Sequence, residues 1–194
     1  MKNLIFLSTV FLLLSVSGFA QMTSPKITYS PLDATAAPCQ MTIKDAPPIN
    51  GVKLGLTPDE LGKAFKIKII PGAPNRLEVS TFSIGEQNKA ALPKGINAIS
   101  LAFFNNRLFH ATIAFDNASP PKTLDKFALA LSEKHNFSRA WFKTAVENYV
   151  YLFCPGELRF ELTINDEVQL RMLDLKADNQ KNQRWKLLNS PKSQ

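Results

Sequence analysis

The sequence predicts an α+β chain: an antiparallel sheet of about six strands, two main helices packed on one of its faces, and a further helix at the C-terminus. Three observations carry this expectation. A complete helix-start signature stands at LGLTPDELGKAF, residues 54–65. The apolar period then shortens to two, and strands that alternate apolar with polar residues form antiparallel sheets with one wet face. The order helix-then-strands also occurs twice. It suggests modules at 51–118 and 119–175 within a single domain over 51–175, although the halves share no sequence identity.

Residues 1–20 read as a signal peptide. Lys2 supplies the positive end, 5–16 the apolar run, and Gly18-Phe19-Ala20 a small-x-small cleavage site. The run is shorter than the roughly 18–20 apolar residues of a membrane span. No Cys follows Ala20, so lipid attachment there is not expected. The chain is thus expected to be exported, to the periplasm or outside. Its net charge of +7, less Lys2, is moderate and interspersed, and suits solubility as well as an acidic partner. Residues 21–50 carry Pro25, Pro31, Pro38, Pro47 and Pro48 without a sustained period, and read as a flexible Pro-rich arm. Order is expected from near Gly51.

Thr57 is the N-cap of the first helix, Pro58 fits its first position, and Glu60 completes a capping box. Leu61 and Phe65 fall one turn apart on a single face. Gly62 costs a helix interior about 1 kcal/mol against Ala, a cost that close packing on a sheet would explain. Strands follow at 77–83, 98–105 and 108–116, with an Asn105-Asn106 hairpin turn between the last two. On 108–116 one face carries Phe109, Ala111, Ile113 and Phe115, and the other His110, Thr112 and Ala114. Pro120-Pro121 stops the hairpin. Leu124, Phe127, Ala128 and Leu131 then mark an amphipathic helix capped by Thr123. Three more strands are read at 149–154, 157–164 and 168–173, with turns at Pro155-Gly156 and Asn165-Asp166. The basic stretch 176–194 forms a tail, with a short helix through QKNQRWKLL.

Cys39 and Cys154 are an even pair, which in an oxidising compartment suggests a disulfide between the N-terminal segment and a late strand. Two unpaired thiols are the alternative. Redox chemistry lacks a CxxC spacing. Little other chemistry is on offer. His110 and His135 are separated, no metal-ligand spacing occurs, and nucleotide-loop and hydrolase motifs are absent. No cofactor, metal or nucleic acid is therefore expected. Glu157 and Glu161 share a strand face, but pairing with Arg159 or Arg171 accounts for them. The residues offered for partner contact are Arg159, Arg171 and Trp185, the last in a tail that could also meet a membrane surface.

The stretch GVKLGLTPDELGKAF resembles the hydrophobic-Gly-[Leu/Met]-[Ser/Thr]-x-[Asp/Glu]-[Glu/Gln]-[Leu/Val] helix entry of small bacterial envelope proteins of the SmpA/OmlA (BamE) type. The β-lactamase-inhibitor-like proteins share that helix-on-sheet plan. A wider likeness is to uncharacterised exported bacterial proteins with a fixed order. They have an early Cys, this helix entry, a hairpin like ISLAFFNNRLFHATIAFD, and a helix like TLDKFALALSEKHNF. An aromatic such as Trp141 follows, then a strand ending in Cys and a charged C-terminal helix. The resemblance implies helices on an antiparallel sheet and no particular activity. It transfers no functional residue. Its functional expectation is an exported, non-enzymatic, protein-binding or envelope-associated module. The alternatives are an inhibitor of a secreted enzyme, and an enzyme working through carboxylates or His110.

Overall fold

The computed structural model describes residues 29–116, 123–144, 148–164 and 166–190. The signal-peptide reading, the Pro120-Pro121 stop and Asn165 lie outside them. The elements are β1 (Tyr29–Pro31), α1 (Pro58–Phe65), β2 (Val79–Ile84), a 3₁₀ turn (Glu86–Ala91), β3 (Ile96–Phe104) and β4 (Arg107–Phe115). There follow α2 (Leu124–His135), β5 (Trp141–Thr144), β6 (Tyr149–Cys154), β7 (Leu158–Ile164), β8 (Val168–Asp174) and α3 (Leu175–Asn189).

Among the described residues all strands join one antiparallel sheet of eight, in the order β1-β5-β6-β7-β8-β4-β3-β2. Two meanders, β2-β3-β4 and β5-β6-β7-β8, meet where β4 pairs with β8. The sheet exceeds the expected six strands by β1 and β5. These have three and four residues, too few to display a period of two, and β1 ends in a proline.

One face of the sheet is the main core. Ile99, Leu101, Phe103, Leu108, Ala111, Ile113, Phe160, Leu162, Leu170 and Met172 are buried there in one cluster with Leu61 and Phe65 of α1 and Leu124, Ala128 and Leu131 of α2. Trp141, fully buried, donates its indole N–H to Ser132 Oγ at 2.7 Å, so the polar edge of the largest core side chain is satisfied inside the protein. The Thr57 capping box is formed: Thr57 Oγ1 accepts the Glu60 N–H, and the Glu60 carboxylate accepts the Thr57 N–H. Asn105 and Asn106 both take left-handed φ (50° and 59°), as a two-residue hairpin of right-handed twist demands.

Four sequence expectations are corrected. The stretch 21–50, expected as a flexible arm, is not one in its described part, 29–50. Cys39, Ala46 and Ile49 are buried, and Ile49 and Val52 exchange backbone hydrogen bonds around Asn50-Gly51, an Asn-Gly turn with both φ positive. Phe109 does not share a face with Ala111 and Ile113. Ala102 stands opposite His110 and Phe103 opposite Leu108, so Phe109 is an extra residue in β4. This bulge turns its ring away from the main cluster and beside His110. Gly62 packs close to its own chain rather than to the sheet: a Cβ there would lie 2.7 Å from the Ile67 carbonyl oxygen. The C-terminal helix begins earlier than QKNQRWKLL, at Leu175, with Asp174 as its N-cap.

Candidate functional site

The second face of the sheet is divided. α3 contacts β4, β7 and β8, and its side chains reach further: Lys181 Nζ stands 5.5 Å from the centre of the Phe109 ring, and Arg184 pairs with Glu78 at 2.6 Å. Phe104, Phe109 and Ala114 are buried but lie outside the main cluster. His110 is half-buried here, its Nε2 without a hydrogen-bond partner. Burial holds its pKa below the ordinary 6.5, and the nearby charges of Arg171 and Lys181 act in the same direction. Glu161 and Asp178 oppose them.

Beyond α3, the same face over β1, β5, β6 and β7 carries aromatic side chains. On β6, Val150, Leu152 and Cys154 turn inward, which sends Tyr149, Tyr151 and Phe153 outward. Phe142 of β5 stacks on Tyr151 with ring centres 5.5 Å apart, and Tyr29 of β1 meets Tyr151 edge-on at the same distance. Tyr29 remains 52% exposed and Phe153 42%. Arg159 of β7 lies among them, its guanidinium 5.5 Å from the Tyr151 ring centre and donating to the Tyr149 hydroxyl. It also pairs with Glu161 at 2.8 Å, while its Nε has no partner. Burial raises the phenol pKa of Tyr149 and of Tyr151, so both stay neutral and able to donate hydrogen bonds.

The structure brings some of the sequence-selected residues together and separates others. Cys39 and Cys154 form a disulfide, with Cα atoms 4.7 Å apart. Arg159 and Arg171 converge on the one carboxylate of Glu161, Arg171 at 3.2 Å. Trp185 lies elsewhere, in the last turns of α3 with Leu187 and Leu188, all more than half exposed. Glu157 is bound by Lys176, so it and Glu161 do not form a free carboxylate pair. Among the described residues no group of three or more His, Cys, Asp or Glu is placed to hold a metal, and no helix is long and apolar enough to cross a membrane.

The aromatic members of this face escaped sequence reasoning. The signal was YVYLFC, whose odd positions are all aromatic while its even positions suffice for the core. Phe142 and Tyr29 gave no comparable signal, because their strands are too short to declare a face. Compared with known proteins, the chain matches no family model, no curated sequence and no solved structure.

Proposed function

We propose that this chain is an exported, non-enzymatic protein-binding module, periplasmic or secreted, and that it holds its partner on the open sheet face around Tyr151 and Arg159. One observation carries the reading: Tyr29, Phe142, Tyr149, Tyr151 and Phe153 gather from the adjacent strands β1, β5 and β6, which α3 does not contact among the described residues, with an arginine of β7 among them. Tyrosines and arginines around a desolvated centre are the composition of binding hot spots. Rigid strands pre-set their positions, which lowers the ordering cost of association. Two arginines face one glutamate, so the patch is positive by one charge and suits a partner that sets a carboxylate among apolar side chains. The disulfide supports an oxidising compartment.

The test is site-specific. A photo-crosslinking phenylalanine analogue placed at Phe153 or Tyr29 should capture the same partner from the native compartment, whereas the analogue at exposed Ile70 should not. Tyr151→Ala should reduce recovery at least tenfold, the loss expected of a central aromatic anchor. Equal capture from Ile70, or undiminished recovery with a folded Tyr151→Ala protein, would remove this face from consideration.

A further inference from the structure

A different concavity lies where α2 meets the ends of β3 and β4, with a volume of about 240 Å³. Its walls are apolar. Ile96 and Phe115 are register partners at the open end of the β3–β4 pair. Phe127 of α2 meets Phe115 edge-on with ring centres 4.8 Å apart, and Leu131 lies one turn further along the helix. Ile96 and Leu131 are buried, but Phe115 and Phe127 are only half-buried, so apolar ring surface remains to be covered. The rim is cationic. Lys94 and Lys134 both line the cleft, both are exposed, and neither forms an ion pair among the described residues. No acidic residue is among the lining. Two acidic residues adjoin the lining in sequence: Asp116 follows Phe115 and gives its backbone N–H to the Gly95 carbonyl, and Glu133 precedes Lys134 on the exposed side of α2.

An apolar floor beneath two ammonium groups that form no ion pair among the described residues is complementary to a molecule with the opposite division. We propose that this cleft binds a small amphiphilic anion, a carboxylate carried on an aromatic ring or short aliphatic chain. The apolar part lies against Phe115, Phe127 and Leu131, and the carboxylate meets the rim of Lys94 and Lys134. The volume falls below the roughly 300–1,000 Å³ of drug-sized sites, which selects a ligand of the size of benzoate over a long-chain lipid. This site is separate from the aromatic sheet face, and its occupancy does not depend on the partner proposed there.

The oxidised full-length mature chain, methyl-labelled, is titrated with benzoate and separately with benzyl alcohol, its neutral counterpart. Benzoate should give saturable shifts at the Ile96 and Leu131 methyl groups, with a Kd in the roughly millimolar range for so few atoms. Benzyl alcohol should bind more weakly. Lys94→Gln with Lys134→Gln should weaken benzoate roughly tenfold and leave benzyl alcohol unchanged. Ala130→Phe, at an exposed lining position, should block both without altering the rest of the spectrum. Linear shifts without saturation would overturn the proposal. So would equal affinity for the two probes, or benzoate binding that survives both the lysine and the Ala130→Phe variants.

Discussion

A Cβ on Gly62 would stand 2.7 Å from the Ile67 carbonyl oxygen, a distance at which backbone must move. The general gain of about 1 kcal/mol for Gly→Ala within a helix therefore reverses here. Gly62→Ala should lower stability by about 1–3 kcal/mol, the cost of forcing a tight contact, read from the urea midpoint. Four residues on, Lys66 holds a left-handed φ of 55° as its N–H caps the helix at Gly62 and Lys63. Lys66→Gly relieves that conformation and should raise the unfolding free energy by up to about 1 kcal/mol, read as a higher urea midpoint. The sequence showed the helix and its start but misplaced what Gly62 touches, since the return of residues 66–67 onto the helix end carries no periodic signal. His110 offers a pH test. Its folded pKa lies below the ordinary 6.5, chiefly through burial and then through Arg171 and Lys181. The unfolded chain thus binds more protons in the window just below 6.5. This contribution to stability is complete above 6.5 and is lost as pH falls through the folded value. Acidification from about pH 7 to about pH 5 should lower the urea midpoint, and His110→Gln should flatten part of that fall. His135, shifted downward by its own burial, supplies part of the remaining slope. An unchanged slope in His110→Gln would show that His110 does not titrate with folding.

Among the elements, α3 shows most clearly what a sequence hides. Its composition is polar and it has no fully buried residue, so no apolar stripe announced its first half. What starts it is local chemistry: Asp174 ends β8 and its carboxylate accepts the Ala177 N–H at 2.9 Å. Burial pushes that carboxyl above its ordinary pKa, which marks its charge as costly even while its oxygen caps the helix. The two effects separate by substitution. Asp174→Ala removes the acceptor and should cost about 1 kcal/mol, with Phe109, whose ring faces Lys181 of α3, becoming more accessible. Asp174→Asn keeps an equally good cap and discards the charge, so its unfolding midpoint should match or exceed that of the parent chain. A loss of equal size in both variants would assign the role of Asp174 to charge rather than capping. The long strands β3, β4, β7 and β8 were legible because each has seven or more residues, enough to display a run of alternation even where a bulge or a strand end interrupts it. The bulge at Phe109 was not, because an inserted residue leaves the apolar count of β4 unchanged while reversing one side chain.

For the whole molecule, the Cys39–Cys154 bond ties the N-terminal segment to the end of β6, and this link joins stability to the proposed contact face. Residues 29–50 contribute only β1 at the sheet edge and a few buried side chains, Cys39, Ala46 and Ile49 among them. A segment held by so little would open more readily than the central strands, whose partners flank them on both sides. The cross-link closes a sequence separation of 115 residues, for which the loss of unfolded-chain entropy is roughly 4–5 kcal/mol. Cys39→Ser with Cys154→Ser should therefore lower the unfolding free energy by several kcal/mol. Because β1 carries Tyr29 and pairs with β5, which carries Phe142, loosening should pass directly to the aromatic face. Hydrogen exchange should accelerate first over 29–50 and β5, while β4 and β8 stay protected. Capture through Tyr29 should fall in the reduced protein even under conditions where most of the chain remains folded. If exchange instead rose uniformly across the sheet, the N-terminal segment would belong to the same cooperative unit as the core, and reduction would act on partner binding only through global unfolding.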